Sequence, residues 1–107
     1  MPIYLYGMNH VSAPVELRER IAVPADQLIG TVERLVRSDG IEEGLILSTC
    51  NRTEVLINSQ DDTASGRVRT FLQGERQIDE PELERHCYLH ANQEAVRHVF
   101  RVASSLV

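Results

Sequence analysis

The chain has 107 residues, of which 42% are hydrophobic and 25% are charged, a composition typical of one globular domain. Its formal net charge of -5 argues against a general nucleic-acid-binding domain, because such domains usually carry a basic face. Two cysteines are too few for a disulfide framework, and neither a secretory leader nor an apolar stretch of roughly 20 residues is present, so we expect a cytoplasmic protein without membrane association.

The first part of the chain predicts one strand followed by two helices. Residues 3–8 are aromatic and apolar, as in a central strand. Ser12, followed by Pro14, is a helix-start signal, and a longer helix is predicted to begin near Pro24. The apolar stripe of this second helix consists of Leu28, Ile29, Val32, Leu35 and Val36. Gly40 follows the stripe and is expected to adopt a left-handed conformation where the helix stops.

Two short apolar runs in the middle of the chain predict a β-hairpin. Residues 45–47 and 55–57 are each suited to a strand that is buried on both faces. The polar heptad between them, residues 48–54 (Ser-Thr-Cys-Asn-Arg-Thr-Glu), is expected at or near the turn.

The next part of the chain contains a loop, a helix and an acidic segment. We expect the loop over residues 58–66 and the helix over residues 67–73, with Gly74 ending it. Residues 75–84 hold five acidic residues and one arginine, which indicates a solvated surface segment. Residues 87–89 predict a last short strand.

A final helix is predicted to begin after Asn92, a favourable N-cap residue. Its apolar stripe consists of Val96, Val99, Phe100, Ala103 and Leu106. The order strand, helices, strand, strand, helix, strand, helix predicts an α+β fold with a split β-α-β arrangement, a ferredoxin-like α/β sandwich. We expect a mostly antiparallel sheet with helices packed on one face.

Cys50 is the first candidate for chemistry. It follows an apolar strand, is surrounded by polar residues, and precedes Arg52 by two positions. A free thiol has a pKa near 8.5, so only a few per cent is thiolate at pH 7, and a nearby cation raises that fraction. Most free cysteines are small buried hydrophobic residues, so the pattern alone leaves a purely structural role open.

The other potentially reactive groups give weaker signals. His98 lies at the flank of the last predicted stripe, where it is either directed toward a neighbouring site or an ordinary boundary histidine. His86, Cys87 and His90 fall within five residues, but a zinc site normally needs a second ligand pair, so we expect no metal and place Cys87 in the core. The glycines never approach the G-x-G-x-x-G spacing, so the chain should hold no dinucleotide site.

Three stretches of the sequence carry more specific information. They are residues 7–15 (Gly-Met-Asn-His-Val-Ser-Ala-Pro-Val) with 17–20 (Leu-Arg-Glu-Arg), residues 47–55 (Leu-Ser-Thr-Cys-Asn-Arg-Thr-Glu-Val), and residues 98–104 (His-Val-Phe-Arg-Val-Ala-Ser). Together they resemble the N-terminal catalytic domain of the glutamyl-tRNA reductase family. The resemblance implies one catalytic domain over residues 1–107, with the NADPH-binding and dimerisation domains absent from this chain. The family usually continues Gly-Leu-Asp-Ser after the third stretch, where this chain has Ser-Leu-Val at 105–107.

The resemblance implies a reaction in two stages. Cys50 attacks the ester of glutamyl-tRNA and forms a thioester, and NADPH bound outside this chain reduces the thioester to glutamate-1-semialdehyde for tetrapyrrole (5-aminolevulinate) biosynthesis. A thioester is a better electrophile than an oxygen ester, so the covalent intermediate divides one difficult step into two easier ones.

The resemblance also implies roles for other residues. His98 is the second catalytic candidate, either orienting the ester or protonating the leaving ribose oxygen. Arg52 is expected to bind the substrate carboxylate through its forked guanidinium. Thr49 and Asn51 are expected to contact the polar groups of the amino acid, and His10 is also placed in the substrate-binding set. The remaining polar residues of the first stretch, Asn9 and Arg18, are expected to brace the site.

The expected partners follow from the same resemblance. They are glutamyl-tRNA as substrate, glutamate-1-semialdehyde aminomutase, and a second copy of the full-length enzyme in a homodimer. Two alternative functions remain open on the sequence. A cysteine-dependent acyl hydrolase would work without NADPH, and a non-catalytic ferredoxin-like binding module would leave Cys50 buried and unreactive.

Overall fold

A four-stranded antiparallel sheet organises the chain in the computed structural model, which describes residues 2–104. The strands are β1 (Ile3–Asn9), β2 (Ile41–Ser48), β3 (Arg52–Ser59) and β4 (Tyr88–Ala91). The helices are α1 (Val15–Ile21), α2 (Leu28–Val36) after a short 3₁₀ turn (Ala25–Gln27), α3 (Ala64–Arg76), α4 (Glu80–His86) and α5 (Gln93–Ala103). The strands lie in the order β2-β3-β1-β4, so β3 separates β1 from β2. This is the split β-α-β arrangement, and the predicted α+β, ferredoxin-like class is confirmed.

The strand register sorts the side chains onto two faces of the sheet. On one face, Tyr4 and Tyr6 of β1 lie opposite Ile57 and Val55 of β3. These residues belong to the main hydrophobic core. The first four helices add Leu17, Ile21, Leu35, Val68, Leu72 and Leu83 to that core. Most of the helical packing is therefore on this single face, as predicted.

The opposite face carries polar side chains and the last helix. Gly7 of β1 lies in register with Glu54 of β3 on one side and with Tyr88 of β4 on the other. His98 of α5 contacts Glu54, so α5 is the helix that packs on this face. A Cβ added at Gly7 would lie 2.4 Å from the carbonyl oxygen of Thr53 and 2.9 Å from Cγ of Glu54. The absence of a side chain at Gly7 therefore leaves room for the Glu54 side chain.

The largest difference from the sequence prediction lies between residues 74 and 87. Gly74 does not end α3, which stops two residues later before Gln77, whose φ is 56°. The acidic segment contains most of α4, a helix that the prediction missed. The Asp79 side chain accepts a hydrogen bond from the Glu82 N–H, and Leu83 is buried. The acidic residues suit the positive end of a helix, so the charge that suggested a solvated segment in fact favours a helix start.

The central hairpin is longer than the two apolar runs indicated. β2 begins at Ile41, with an irregularity in its pairing between Ile41 and Glu43, and β3 begins at Arg52. Only residues 49–51 of the polar heptad therefore form the turn, and residues 52–54 belong to β3. Likewise β4 covers residues 88–91, so Cys87 precedes the strand.

The remaining helix boundaries follow the sequence signals with small shifts. Pro14, and not Ser12, occupies the N-cap position of α1. Gly40 has a φ of 83°, the left-handed conformation that was predicted. The last helix begins after Asn92, whereas Leu106 lies outside the described residues. No helix described here has the length and apolar composition needed to cross a bilayer.

The close approach at Gly7 can be tested by substitution. We expect Gly7→Ala to lower the free energy of unfolding by about 1–3 kcal/mol, because the added methyl group must displace the β3 backbone. Gly74→Ala is the matched control. Nothing lies within 4 Å of its added Cβ, and a helix interior favours Ala over Gly by about 0.5–1 kcal/mol, so this variant should be neutral or stabilised. Urea unfolding followed by circular dichroism measures both, and equal midpoints would contradict the expectation.

Candidate active site

Cys50 lies at the tip of the β2–β3 hairpin, and its side chain is exposed. The turn is closed by the Thr49 N–H, which donates to the Arg52 carbonyl oxygen at 2.7 Å. Thr49 Oγ1 accepts hydrogen bonds from the N–H groups of Asn51 and Arg52 at 3.2 and 3.3 Å. Thr49 therefore fixes the turn that presents the thiol to solvent. The non-catalytic binding-module alternative required a buried Cys50, and the exposed position of Cys50 contradicts that requirement.

Arg18 of α1 contacts the same turn. Its Nη1 donates to the carbonyl oxygen of Cys50 at 3.0 Å, and its Nε donates to the carbonyl oxygen of Ala13 at 3.2 Å. The guanidinium thus bridges the start of α1 and the tip of the hairpin.

A second group of polar side chains surrounds Glu54 on the α5 face of the sheet. Glu54 is only 3% exposed, and its Oε2 accepts hydrogen bonds from Nη1 of Arg52 at 3.3 Å and from the hydroxyl of Tyr88 at 2.5 Å. The same oxygen lies 2.5 Å from Nε2 of His98. A buried carboxylate without partners is costly, and these three contacts compensate for its lost hydration. We call Arg52, Glu54, Tyr88, His90 and His98 the Glu54 cluster.

Two aromatic side chains of the Glu54 cluster hold His98 in place. The His90 and His98 rings are stacked, with centroids 4.6 Å apart, and the Tyr88 ring lies 5.5 Å from that of His98. Burial, with the neighbouring His98, lowers the pKa of His90, so the ring is neutral at pH 7. Burial and the hydrogen bond to Glu54 raise the pKa of Tyr88, which therefore stays a phenol donor. Neither ring adds charge to the site.

The contact with Glu54 also decides which nitrogen of His98 is available. The carboxylate accepts a hydrogen bond from the Nε2–H group, so the neutral ring carries its proton on Nε2 and leaves Nδ1 as the acceptor. This is the arrangement in which a carboxylate orients a catalytic imidazole and stabilises its charged form.

A cavity of about 470 Å³ lies over this face of the sheet, next to the hairpin turn. Its polar lining consists of His10, Thr49, Asn51, Arg52 and Glu54. Its apolar lining consists of Leu5, Leu45, Leu47, Leu56, Val99, Val102 and Ala103. The volume is in the range of small-molecule sites, which combine an apolar wall with a few polar groups that orient the ligand.

The structure brings most of the sequence-predicted site residues together. All four predicted substrate-binding residues, His10, Thr49, Asn51 and Arg52, line the cavity. Cys50 lies between two of them in the chain but does not itself line the cavity. His98 contacts Glu54, and no hydrogen bond joins His98 to Cys50 within residues 2–104.

Sequence reasoning did not assign Glu54, Tyr88 or His90 to the site. Arg52 and Glu54 are two residues apart in β3, and Tyr88 and His90 are two residues apart in β4. Alternate residues of a strand share a face, so this polar period-two spacing was the available signal. It became informative only once the strand boundaries were known.

The residues considered for a metal site do not converge. His86 Nδ1 lies 3.1 Å from the Ser12 carbonyl oxygen, whereas Cys87 packs against the hydrophobic core. In the part of the chain that the structure describes, no three His, Cys, Asp or Glu side chains are arranged to hold a metal ion.

Fold and site together define a ferredoxin-like α+β domain that presents an exposed cysteine next to a ligand-sized cavity and a buried Arg–Glu–His cluster. A family model described as "Glutamyl-tRNAGlu reductase, N-terminal domain" matches residues 6–107. The chain belongs to this family.

Individual relatives agree with the family match. The chain is 45% identical over 106 residues to glutamyl-tRNA reductase 2 of Koribacter versatilis, and 47% identical over 106 residues to glutamyl-tRNA reductase of Syntrophobacter fumaroxidans. These matches cover 99% and 97% of this chain but only 24% and 23% of those proteins. A solved glutamyl-tRNA reductase from Methanopyrus kandleri matches 95% of this chain and 22% of its own, with a TM-score of 0.69 and 30% identity. The chain thus spans about a quarter of the length of the curated relatives it matches.

The two cysteines should differ strongly in reactivity. Burial raises the pKa of the Cys87 thiol to about 11, so at pH 8 only roughly 0.1% of it is thiolate, and this fraction grows as the pH rises toward 11. Cys50 is exposed. We therefore expect iodoacetamide to alkylate Cys50 at least about tenfold faster than Cys87 at pH 8, as measured by peptide mapping. Cys87→Ser should leave the Cys50 rate unchanged, and faster labelling of Cys87 would count against this assignment.

Proposed function

We propose that this chain is the acyl-transfer domain of a glutamyl-tRNA reductase, in which Cys50 takes the glutamyl group from glutamyl-tRNA as a thioester. The observation that carries the proposal is the position of the exposed Cys50. It lies in a turn whose other residues, Thr49 and Asn51, line a cavity of small-molecule size together with Arg52. Membership of the glutamyl-tRNA reductase N-terminal domain family supports the choice of substrate.

The proposed step needs a thiolate and a proton for the leaving group. The Cys50 thiolate attacks the ester carbonyl carbon, the bond from that carbon to the ribose oxygen breaks, and the ribose oxygen takes up a proton as the tRNA leaves. We assign to His98 either the orientation of the ester or the delivery of that proton, which Nδ1 would first take up from the Cys50 thiol or from water. The Glu54 carboxylate, bound to Nε2, would stabilise the charged ring that gives up the proton.

Arg52 is the proposed ligand of the glutamyl side-chain carboxylate. A guanidinium has five N–H donors, and within the described residues Glu54 is the side chain that Arg52 contacts, so donors are left for a second carboxylate. Arg52 is only 6% exposed, and low exposure strengthens a charged hydrogen bond. We assign contacts with the polar groups of the amino acid to Thr49 and Asn51. His10, which is exposed where it lines the cavity, is assigned to the same substrate.

We further propose that the complete enzyme is an NADPH-dependent oxidoreductase that forms glutamate-1-semialdehyde for tetrapyrrole biosynthesis. The antiparallel sheet and the glycine spacing of residues 2–104 do not fit a dinucleotide cradle, so the proposal places NADPH on another domain. A homodimer and glutamate-1-semialdehyde aminomutase are proposed partners of that complete enzyme. An exposed reactive thiol suits the reducing cytoplasm, the compartment we propose.

The proposal predicts a covalent intermediate on one cysteine. The chain incubated with glutamyl-labelled glutamyl-tRNA should gain an adduct that survives acid and is released by an added thiol. Cys50→Ser should form none, because a serine hydroxyl is hardly ionised near neutral pH, and Cys87→Ser is the matched control that should react normally. An adduct on Cys50→Ser would refute the nucleophile assignment. Rapid release of free glutamate without any reductant would instead favour the acyl hydrolase.

The role of Arg52 predicts a partial loss of activity. Arg52→Lys keeps the positive charge but loses the fork, and a charged hydrogen bond is worth about 1.5–3 kcal/mol, so kcat/KM of the full-length enzyme should fall roughly 10- to 150-fold. Arg34→Lys is the matched control, since Arg34 makes an ion pair with Glu75 away from the cavity. Steady-state kinetics measure both, and normal kinetics in Arg52→Lys would leave Arg52 only a structural role.

A further inference from the structure

We propose that Arg18 is a positioning residue for the acyl transfer: it holds the Cys50 turn in place and stabilises the Cys50 thiolate by its charge. The inference rests on the proposed function for its purpose, but the contacts and the charge that carry it are independent of the substrate.

The contacts of Arg18 connect the core-packed start of α1 to the exposed turn that carries Cys50. Leu17, the preceding residue of α1, is buried in the main core, as is Ala13, whose carbonyl oxygen accepts the Nε–H of Arg18. The other end of the guanidinium reaches the Cys50 carbonyl oxygen at 3.0 Å. The side chains of Thr49, Cys50 and Asn51 are exposed, and this bond connects the tip of the hairpin to the core side of the domain.

The charge of Arg18 is not neutralised by a carboxylate within the described residues. Arg20, two positions further along α1, forms an ion pair with Glu82 at 3.0 Å. Arg52 is paired with Glu54 at 3.3 Å. Arg18 donates only to carbonyl oxygens. Its full positive charge therefore acts on the turn that carries the thiol.

The distance between the guanidinium and the sulfur follows from covalent geometry. Sγ and the carbonyl oxygen of one residue are separated by four bonds, so the guanidinium that contacts the Cys50 carbonyl lies within about 8 Å of Sγ. A unit positive charge at this distance favours the charged thiolate over the neutral thiol by Coulomb attraction. The other titratable or charged groups that line or adjoin the cavity are His10, Arg52, Glu54 and His98.

The test is the pH profile of Cys50 alkylation in the 107-residue chain. Iodoacetamide rates are measured between pH 6 and pH 10 by peptide mapping, and the midpoint of the rise is compared among variants. Arg18→Gln should move the midpoint upward by about 0.4 pH unit at low ionic strength. Arg20→Gln removes the same charge from the same helix and should leave the midpoint in place. Arg18→Lys keeps the charge without the bridge and should move the midpoint less than Arg18→Gln.

Further controls separate charge from structure. His10→Gln shows what the exposed histidine contributes, and thermal unfolding shows whether each variant is folded. If Arg18→Gln does not fold, Arg18→Met replaces it, because methionine keeps an unbranched apolar stem and removes the charge. Equal midpoints for Arg20→Gln and for the uncharged Arg18 variant would overturn the inference.

The experiments distinguish failure of the proposed role of Arg18 from failure of the proposed function. An Arg18-dependent midpoint without any thioester from glutamyl-tRNA would refute the proposed function alone. Thioester formation with a midpoint that does not depend on Arg18 would refute only the role of Arg18.

Discussion

The buried carboxylate of Glu54 connects three parts of the chain through hydrogen bonds. It accepts from Arg52 in its own strand, from Tyr88 in β4, and it contacts His98 in α5. Removing one partner of a buried charge is strongly destabilising, because the charge that remains has no water to compensate it. The same oxygen therefore orients the His98 imidazole and joins α5 to the sheet beside the cavity.

The two faces of the sheet differ in what they bear: one carries the apolar core, and the other carries polar side chains and the cavity. The apolar residues of α1 to α4 pack against Tyr4, Tyr6 and the β3 side chains on one face, and this core requires no charged group. The other face bears Glu54 and the cavity. The hairpin turn is connected to both faces. Arg18 of α1 donates to the Cys50 carbonyl oxygen from the core side, and Arg52, the residue after the turn, donates to Glu54 on the other side. Cys50, the proposed nucleophile, thus lies where the core side of the domain meets the side that bears the cavity.

The sequence predicted the fold class because apolar stripes and short apolar runs report burial directly, as in the α2 stripe and the central hairpin. It missed α4, since a helix with only Leu83 and the adjacent Ile78 fully buried has almost no stripe. The proposed substrate-binding residues came from the family resemblance, Thr49, Asn51 and Arg52 in the hairpin motif and His10 in the first stretch, and all four line the cavity. Tyr88 and His90 were missed because their importance comes from β4 lying next to β1, a pairing between residues more than 80 positions apart. No pattern in the sequence around Tyr88 and His90 predicts that β4 pairs with β1.

The closeness of Cys50 and Arg52 in the chain has a consequence for substrate choice. The Cα atoms of residues two positions apart lie at most about 7 Å from each other, and Glu54 holds the Arg52 guanidinium, so the turn and Glu54 together restrict the distance between the sulfur and the guanidinium. Under the proposed function, that distance must match the separation between the acyl carbon and the side-chain carboxylate of the substrate. Shortening the amino acid by one methylene would misplace one end or the other. Selection of glutamyl over aspartyl esters would then depend on the spacing within the tripeptide Cys50-Asn51-Arg52, and changes in the core could not easily alter it.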